Sequence, residues 1–211
     1  MNRSPLDRRG VIIAVAASSL FAPVAARAGG ARNAEAELFV QTEGQKALSI
    51  VTDRSLSAAA REAAFRQMID RLADFQRISG FVLGKYGRVI TPAQRQRFNA
   101  VFKGYAQRLF QTSLAGFKGN RLQVTGSVIR GPGDTVVNAV VSGDPRSGPL
   151  SVAWRVLGAP GTFKAVDVQA RGVWLAITLQ QDFVSTIDNA GGDIELLIAR
   201  LEADAAPGRR P

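Results

Sequence analysis

An α+β fold is predicted here, with helices packed on an antiparallel sheet, and three observations carry the prediction. The first is order: helical periodicity fills residues 34 to 115 and returns from Phe183, while residues 121 to 177 repeat with a period of two. The second is turn chemistry. Gly131-Pro132-Gly133-Asp134, Gly143-Asp144-Pro145, Gly148-Pro149 and Gly158 to Thr162 separate short apolar runs, as in a sheet of sequential strands. The third is size: 211 residues with 46% hydrophobic content suffice for one sizeable core, and neither a linker nor an internal repeat divides them. The expected sheet is strongly curved and has four or five strands.

Residues 1–28 read as a cleaved export signal. Arg3, Arg8 and Arg9 form a basic start, Gly10 to Phe21 is apolar apart from Ser18 and Ser19, and Ala26-Arg27-Ala28 is a small-x-small cleavage site. Arg8-Arg9-Gly10-Val11-Ile12 is a loose twin-arginine pattern, so both Sec and Tat export fit. This segment carries +3 of the formal charge of +10 and leaves +7 on the remainder. Such a charge often meets nucleic acid. An exported chain seldom meets it, so anionic lipid surfaces or acidic proteins are the expected counterparts.

A single domain is expected over residues 29–202. Residues 29 to 33 lead into a first helix, Ala34 to Thr52, whose Phe39, Val40, Ala47, Leu48 and Val51 share a face. Gly44 inside it costs about 1 kcal/mol relative to Ala. A second helix starts with Ser57 as N-cap and runs to Gly84 along the stripe Phe65, Met68, Ile69, Leu72, Phe75 and Val82. Thr91-Pro92 with Gln94 is a capping box with a first-turn proline, opening a third helix to about Ala115. On it Phe98, Val101, Phe102, Tyr105 and Leu109 share one narrow face, either as ordinary core or as the lining of a cavity.

Strand alternation follows in Leu122, Val124 and Val128, then Val137, Ala139 and Val141, then Leu150, Val152, Trp154 and Val156. Val166, Val168 and Ala170 occupy even positions, but Val173, Leu175 and Ile177 occupy odd ones. A bulge or bend at Arg171-Gly172 would keep both sets inward. Phe183, Ile187 and Ala190 are helical again, and Asp193 caps a last helix carrying Ile194, Leu197, Ile198 and Leu201. Residues 203–211 read as a flexible tail.

The chain has no cysteine and no histidine. Disulfides, thiol nucleophiles, imidazole bases and the usual zinc sites are therefore excluded. No G-x-S-x-G, P-loop or dinucleotide fingerprint is present. Asp70 with Asp74 and Asp188 with Asp193 fall on polar helix faces or caps. Asp167 is different: it sits between Val166 and Val168 in an apolar strand, facing solvent, an arginine or a cavity. Lys85, Arg88, Arg95 and Arg97 form a basic cluster, either a solvated face or a site for a phosphate headgroup or an acidic partner.

Leu83-Gly84-Lys85-Tyr86 followed by Arg88, Thr91, Gln94, Phe98, Phe102 and Tyr105 resembles the MlaC or toluene-tolerance family of periplasmic lipid-binding proteins. Phe163-Lys164-Ala165-Val166-Asp167-Val168, then Gly172-Val173 and Phe183, resembles that family's strand pair and last helices. The resemblance implies helices on a curved sheet of the nuclear-transport-factor type. It implies a phospholipid ligand with its acyl chains inside, no cofactor, no metal and no catalytic residue. It also implies a periplasmic monomer whose partners are an inner-membrane lipid ABC transporter and an outer-membrane lipoprotein complex. On this reading Val82, Phe98, Phe102, Tyr105, Val137, Val152, Trp154, Val168, Val173 and Leu175 line the lipid cavity, and Lys85, Arg88, Arg95 and Arg97 serve the headgroup or docking. Gly87 and Trp174 depart from the family pattern and leave open a hopanoid or other rigid lipid. Two further alternatives are an enzyme using Asp167 with Tyr105 or Tyr86, and an adaptor with a solid core. The export reading predicts cleavage after Ala28. Intact-mass analysis of periplasmic protein should give a chain beginning at Gly29, and full-length chain in the membrane fraction would refute it.

Overall fold

The computed structural model describes residues 31–115, 119–144 and 148–205; the predicted export segment and the last residues of the predicted tail lie outside the described residues. The elements run α1 (Ala34–Thr52), α2 (Ala58–Leu72), α3 (Phe75–Val82), a 3-10 turn (Gly84–Arg88) and α4 (Pro92–Ala115). After them come β1 (Arg121–Gly131), β2 (Asp134–Ser142), β3 (Leu150–Leu157), β4 (Lys164–Ala170), β5 (Val173–Trp174), α5 (Leu175–Asn189) and α6 (Ile194–Ala205).

The helix starts follow the predicted caps. Ser57 Oγ accepts from Ala60 N–H, and Glu195 N–H donates to Asp193 Oδ1. The capping box of α4 closes in both directions: Thr91 N–H donates to Gln94 Oε1 at 3.1 Å, and Gln94 N–H to Thr91 Oγ1 at 3.2 Å. The predicted second helix, however, is two helices. Asp74 interrupts it, caps α3 by accepting Arg77 N–H at 2.9 Å, and donates its own N–H to Ala165 O at 3.0 Å. The break lets the chain touch the backbone of β4, where Ala73 also bridges Ala165. Gly84 does adopt a left-handed conformation, φ +52°, but it opens the 3-10 turn after α3 has ended.

The sheet is an open antiparallel meander in the order β1-β2-β3-β4-β5. Three residues are extra in its register. They are Thr125 and Arg130 on β1 and Val166 on β4, each forming a bulge that bends its strand. The expected bulge at Arg171-Gly172 is instead a two-residue hairpin turn, with φ +52° and +81°, pairing Ala170 with Val173. Leu175 and Ile177 do not continue a strand; they begin α5. The change of parity in the sequence is a helix start, and alternation over so few residues does not distinguish the two. At the other end, α6 extends through Ala205, beyond the predicted domain boundary at residue 202.

Two apolar regions hold these layers. Ala36 and Val40 of α1 pack on Val137, Trp154, Val156, Phe163 and Ala165, and Leu48 packs on Leu122, Ala139 and Val141. A helical region gathers Val82, Leu83, Phe98, Phe102, Phe183, Ile187, Leu197, Ile198 and Leu201. Gly44 is explained by close approach, since a Cβ there would lie 2.8 Å from Leu122 Cδ1.

That approach brings two glutamines of α1 to the free edge of β1. Gln41 donates to Leu122 O at 2.8 Å and accepts from Val124 N–H at 2.9 Å. Gln45 accepts from Leu122 N–H at 2.9 Å and donates to Asn120 O at 2.8 Å. The two amides stand in for a neighbouring strand and close an edge that would otherwise invite pairing with another chain. Gln41→Ala and Gln45→Ala should each lower stability by about 1 kcal/mol and speed hydrogen exchange at the Leu122 and Val124 amides. Chemical denaturation and exchange NMR check this, and unchanged protection in the double variant would refute it.

Candidate functional site

A cavity lies where the helical layer meets the edge of the sheet. The end of α2 and the first turn of α3 contribute Ile69, Leu72, Phe75 and Ile78, and α4 contributes Phe102 and Ala106. The floor is Trp154 of β3 with residues 165 to 168 of β4, and Leu175, Ala176 and Leu179 of α5 complete the wall. About 640 Å3 between these groups is free of atoms, part of it open to solvent, and the centre of a water molecule can range over about 90 Å3 of it. Apart from Asp167, every lining side chain is apolar.

The local sequence accounts for this placement. The break at Ala73-Asp74 turns α3 against β4. The bulge at Val166 sets Ala165 and Val166 both inside, so two consecutive residues of β4 are buried. Leu175 and Ala176 reach the cavity because α5 begins immediately after β5.

Phe102, Trp154, Val168 and Leu175, nominated from the sequence, line the cavity. The other nominated residues lie elsewhere. Phe98 stacks on Phe102 at 5.5 Å between ring centres, and both meet Phe183 edge-on at 6.1 Å. Tyr105 leans on Phe183 at 6.0 Å, and burial raises its hydroxyl pKa. Val82 belongs to the same helical core. Val137 and Val152 pack beneath α1. Val173 is 57% exposed in the short strand β5. One narrow stripe of α4 therefore faces two surroundings, core and cavity, which periodicity cannot separate. The stripe over residues 69 to 78 reads in sequence as part of one unbroken helix, which hides its place in the lining. The polar Asp74 between Leu72 and Phe75 was the available signal.

The basic cluster does not line the cavity and is largely committed to carboxylates and carbonyls of its own chain. Lys85 Nζ lies 2.7 Å from Asp188 Oδ1, and the Tyr86 hydroxyl donates to the same oxygen. Lys85, then Tyr86, hold the Asp188 carboxyl below its ordinary range. Arg97 reaches Glu195 at 2.6 Å and Glu202 at 3.0 Å, and Arg95 donates to Gly87 O. Arg88 is exposed. These contacts tie the 3-10 turn and α4 to α5 and α6.

Asp167 takes a cavity-facing position among the alternatives the sequence left open, and it serves a helix. Its Oδ1 accepts Val168 N–H at 2.8 Å and Ala176 N–H at 2.9 Å. Trp174, the residue at the N-cap of α5, makes no capping bond of its own. Asp167 thus caps α5 from the neighbouring strand. Burial raises its pKa above the ordinary 3.8, against the opposing effects of those two N–H groups and of Arg155.

A family model described as MlaC protein matches residues 41–203. Among solved structures, the chain is similar to the phospholipid-binding protein from Ralstonia solanacearum in complex with a phospholipid. The identity is 24% and the TM-score 0.66, over 81% of this chain and 96% of that one.

The Asp167 geometry sets a pair of expectations. Asp167→Ala removes the cap and should cost about 1–2 kcal/mol, whereas Asp167→Asn keeps an acceptor and removes the buried charge. Because the folded pKa is raised, the charge opposes folding at neutral pH, and that penalty vanishes as pH falls through the folded value to below 3.8. The Asn variant should therefore gain on the wild type at pH 7 relative to pH 3. Denaturant melts across that range decide, and a pH-independent difference would refute the assignment.

Proposed function

This chain belongs to the MlaC family, and we propose that it is a lipid carrier holding the acyl chains of a phospholipid in the cavity between α3, α4, α5 and β4. The observation carrying this reading is the cavity itself, apolar but for one carboxylate and bounded by helices that touch the sheet edge at separate points. The phospholipid bound by the Ralstonia solanacearum protein of like fold supports the ligand class. Phe102, Trp154, Val168 and Leu175 would contact the chains. We further infer that the protein works in the periplasm after losing residues 1–28, passing lipid between an outer-membrane lipoprotein complex and an inner-membrane lipid ABC transporter. No described helix is long and apolar enough to cross a membrane.

The physical logic is that of a shuttle. A chain of about sixteen methylenes is favoured in an apolar site over water by roughly 12 kcal/mol, which keeps free lipid out of the aqueous space. Moving the same chain from bilayer to cavity leaves that quantity nearly unchanged, so loading and unloading are both feasible. Room for a few water molecules suits the end of an alkyl chain, and full tails require the walls to part.

Binding accounts for the candidate catalytic groups better than chemistry does. Asp167 is engaged at α5, Tyr86 is held on Asp188, and Tyr105 packs on Phe183 outside the cavity lining.

Lipid extraction with mass spectrometry of protein purified from the cell envelope tests the reading and identifies the lipid class. The wild type should carry phospholipid. Ala106→Trp, which fills the cavity from α4, should fold yet retain about a tenth of that lipid or less. A wild type free of lipid, or a filled variant with its full complement, would overturn the assignment.

A further inference from the structure

Beside the cavity, on the other side of a thin wall, is an open cleft of a different character. The wall is Ile78, Val166, Asp167 and Ala176, which line both spaces. Beyond it the cleft carries Arg77 of α3, Arg130 of β1 and Arg155 of β3, and Phe81 and Trp174 also line it.

These arginines differ in commitment. Arg155 is locked to Asp134 through Nε at 3.1 Å and Nη2 at 2.8 Å. Among the described residues the Arg77 guanidinium has only a long contact, 3.4 Å, to Asp74 Oδ2, while the other oxygen of that carboxylate caps α3. Arg130 is exposed and has no hydrogen bond or ion pair among the described residues. It is also the extra residue of the bulge before Gly131, the kind of irregularity that re-aims a side chain. Asp167 stands at the threshold between cleft and cavity, where burial makes its charge costly and any second anion unwelcome.

We propose that this cleft is the mouth of the cavity, and that Arg130 and Arg77 hold the phosphate of the lipid headgroup outside the threshold set by Asp167. The proposal rests on the carrier reading and adds to it the polar end of the ligand. A guanidinium matches a phosphate through paired N–H donors, and two guanidiniums entering from different elements fix its position as well as its charge. In the cluster of Lys85, Arg88, Arg95 and Arg97, Lys85 and Arg97 are paired with carboxylates and Arg95 is held on Gly87 O, and none of the four lines this cleft.

Phosphate recognition is separable from chain recognition. Delipidated protein is incubated with vesicles of phosphatidylcholine containing equal mole fractions of phosphatidylglycerol and diacylglycerol with identical chains. Retained lipid is then measured by mass spectrometry. The wild type should retain phosphatidylglycerol over diacylglycerol by about tenfold, the worth of one or two charge-assisted hydrogen bonds. Arg77→Gln with Arg130→Gln should bring that ratio close to one, and Arg130→Glu alone, at an exposed position, should lower it with circular dichroism unchanged. A ratio that survives in these variants overturns the proposal, as does a loaded wild type showing no preference. A wild type that takes up neither lipid overturns the carrier reading instead. A site for free phosphate would be revealed by an Arg130-dependent thermal shift with inorganic phosphate alone and equal retention of the two lipids, which also refutes the headgroup assignment.

Discussion

An open antiparallel sheet has two edges of unpaired backbone, and the rest of this structure follows from how each is satisfied. At β1 the solution is side-chain amides: Gln41 and Gln45 bind the strand directly from a helix pressed close by Gly44. Beneath α1 the space against the sheet is packed core; the open groove beside Gln41 and Gln45 lies between α1 and α2. At β4 the partner strand β5 is two residues long, so most of the edge is left over. It is met at points by Asp74 N–H on Ala165 O and by the start of α5, where Ala176 N–H donates to the Asp167 carboxylate of β4. Helices touching an edge at points cannot fill the volume between them, and that volume is the cavity. One constraint, answered in two ways, produces a packed side and a hollow side in a single sheet.

Much of this was legible in sequence, and the failures are informative. The α+β order, α1, the capping box of α4, the turns after β1 and β3 and the cap of α6 all rest on local chemistry, which a sequence displays. The split of the second predicted helix is marked in sequence by Asp74 alone. Its cause is a hydrogen bond from Asp74 to a strand some ninety residues later, and the apolar stripe runs through the break undisturbed. The start of α5 was misread for a related reason. Helices normally announce themselves by a capping residue just ahead of them, but the cap of α5 is Asp167, across a hairpin.

The site was half legible for the same physical reason. Apolar residues at the right period identify an inward face, but a packed interior and a hollow present the same face. Phe98 and Phe102, one turn apart on α4, show this: the first is wholly in the aromatic core with Phe183, and the second also borders the cavity. Charge density in sequence is no guide to convergence in space. Lys85, Arg88, Arg95 and Arg97 are dense in sequence, and three of them meet a carboxylate or carbonyl of this chain, whereas Arg77, Arg130 and Arg155 are scattered in sequence and line one cleft.

On the carrier reading, the two ends of the ligand have different work to do. Acyl chains are equally content in bilayer and cavity, so their large burial free energy cancels from exchange with a membrane and cannot choose one lipid over another. What does not cancel is polar: the headgroup leaves a hydrated interface for a particular arrangement of charge. Selectivity must therefore reside where apolar lining gives way to ionic groups. In this fold that boundary is the wall of Ile78, Val166, Asp167 and Ala176. The chain places its one cavity-lining carboxylate on that boundary and fixes it by the helix start that also shapes the hollow. The dimensions of the cavity and the electrostatics of its rim are thus set by the same residue.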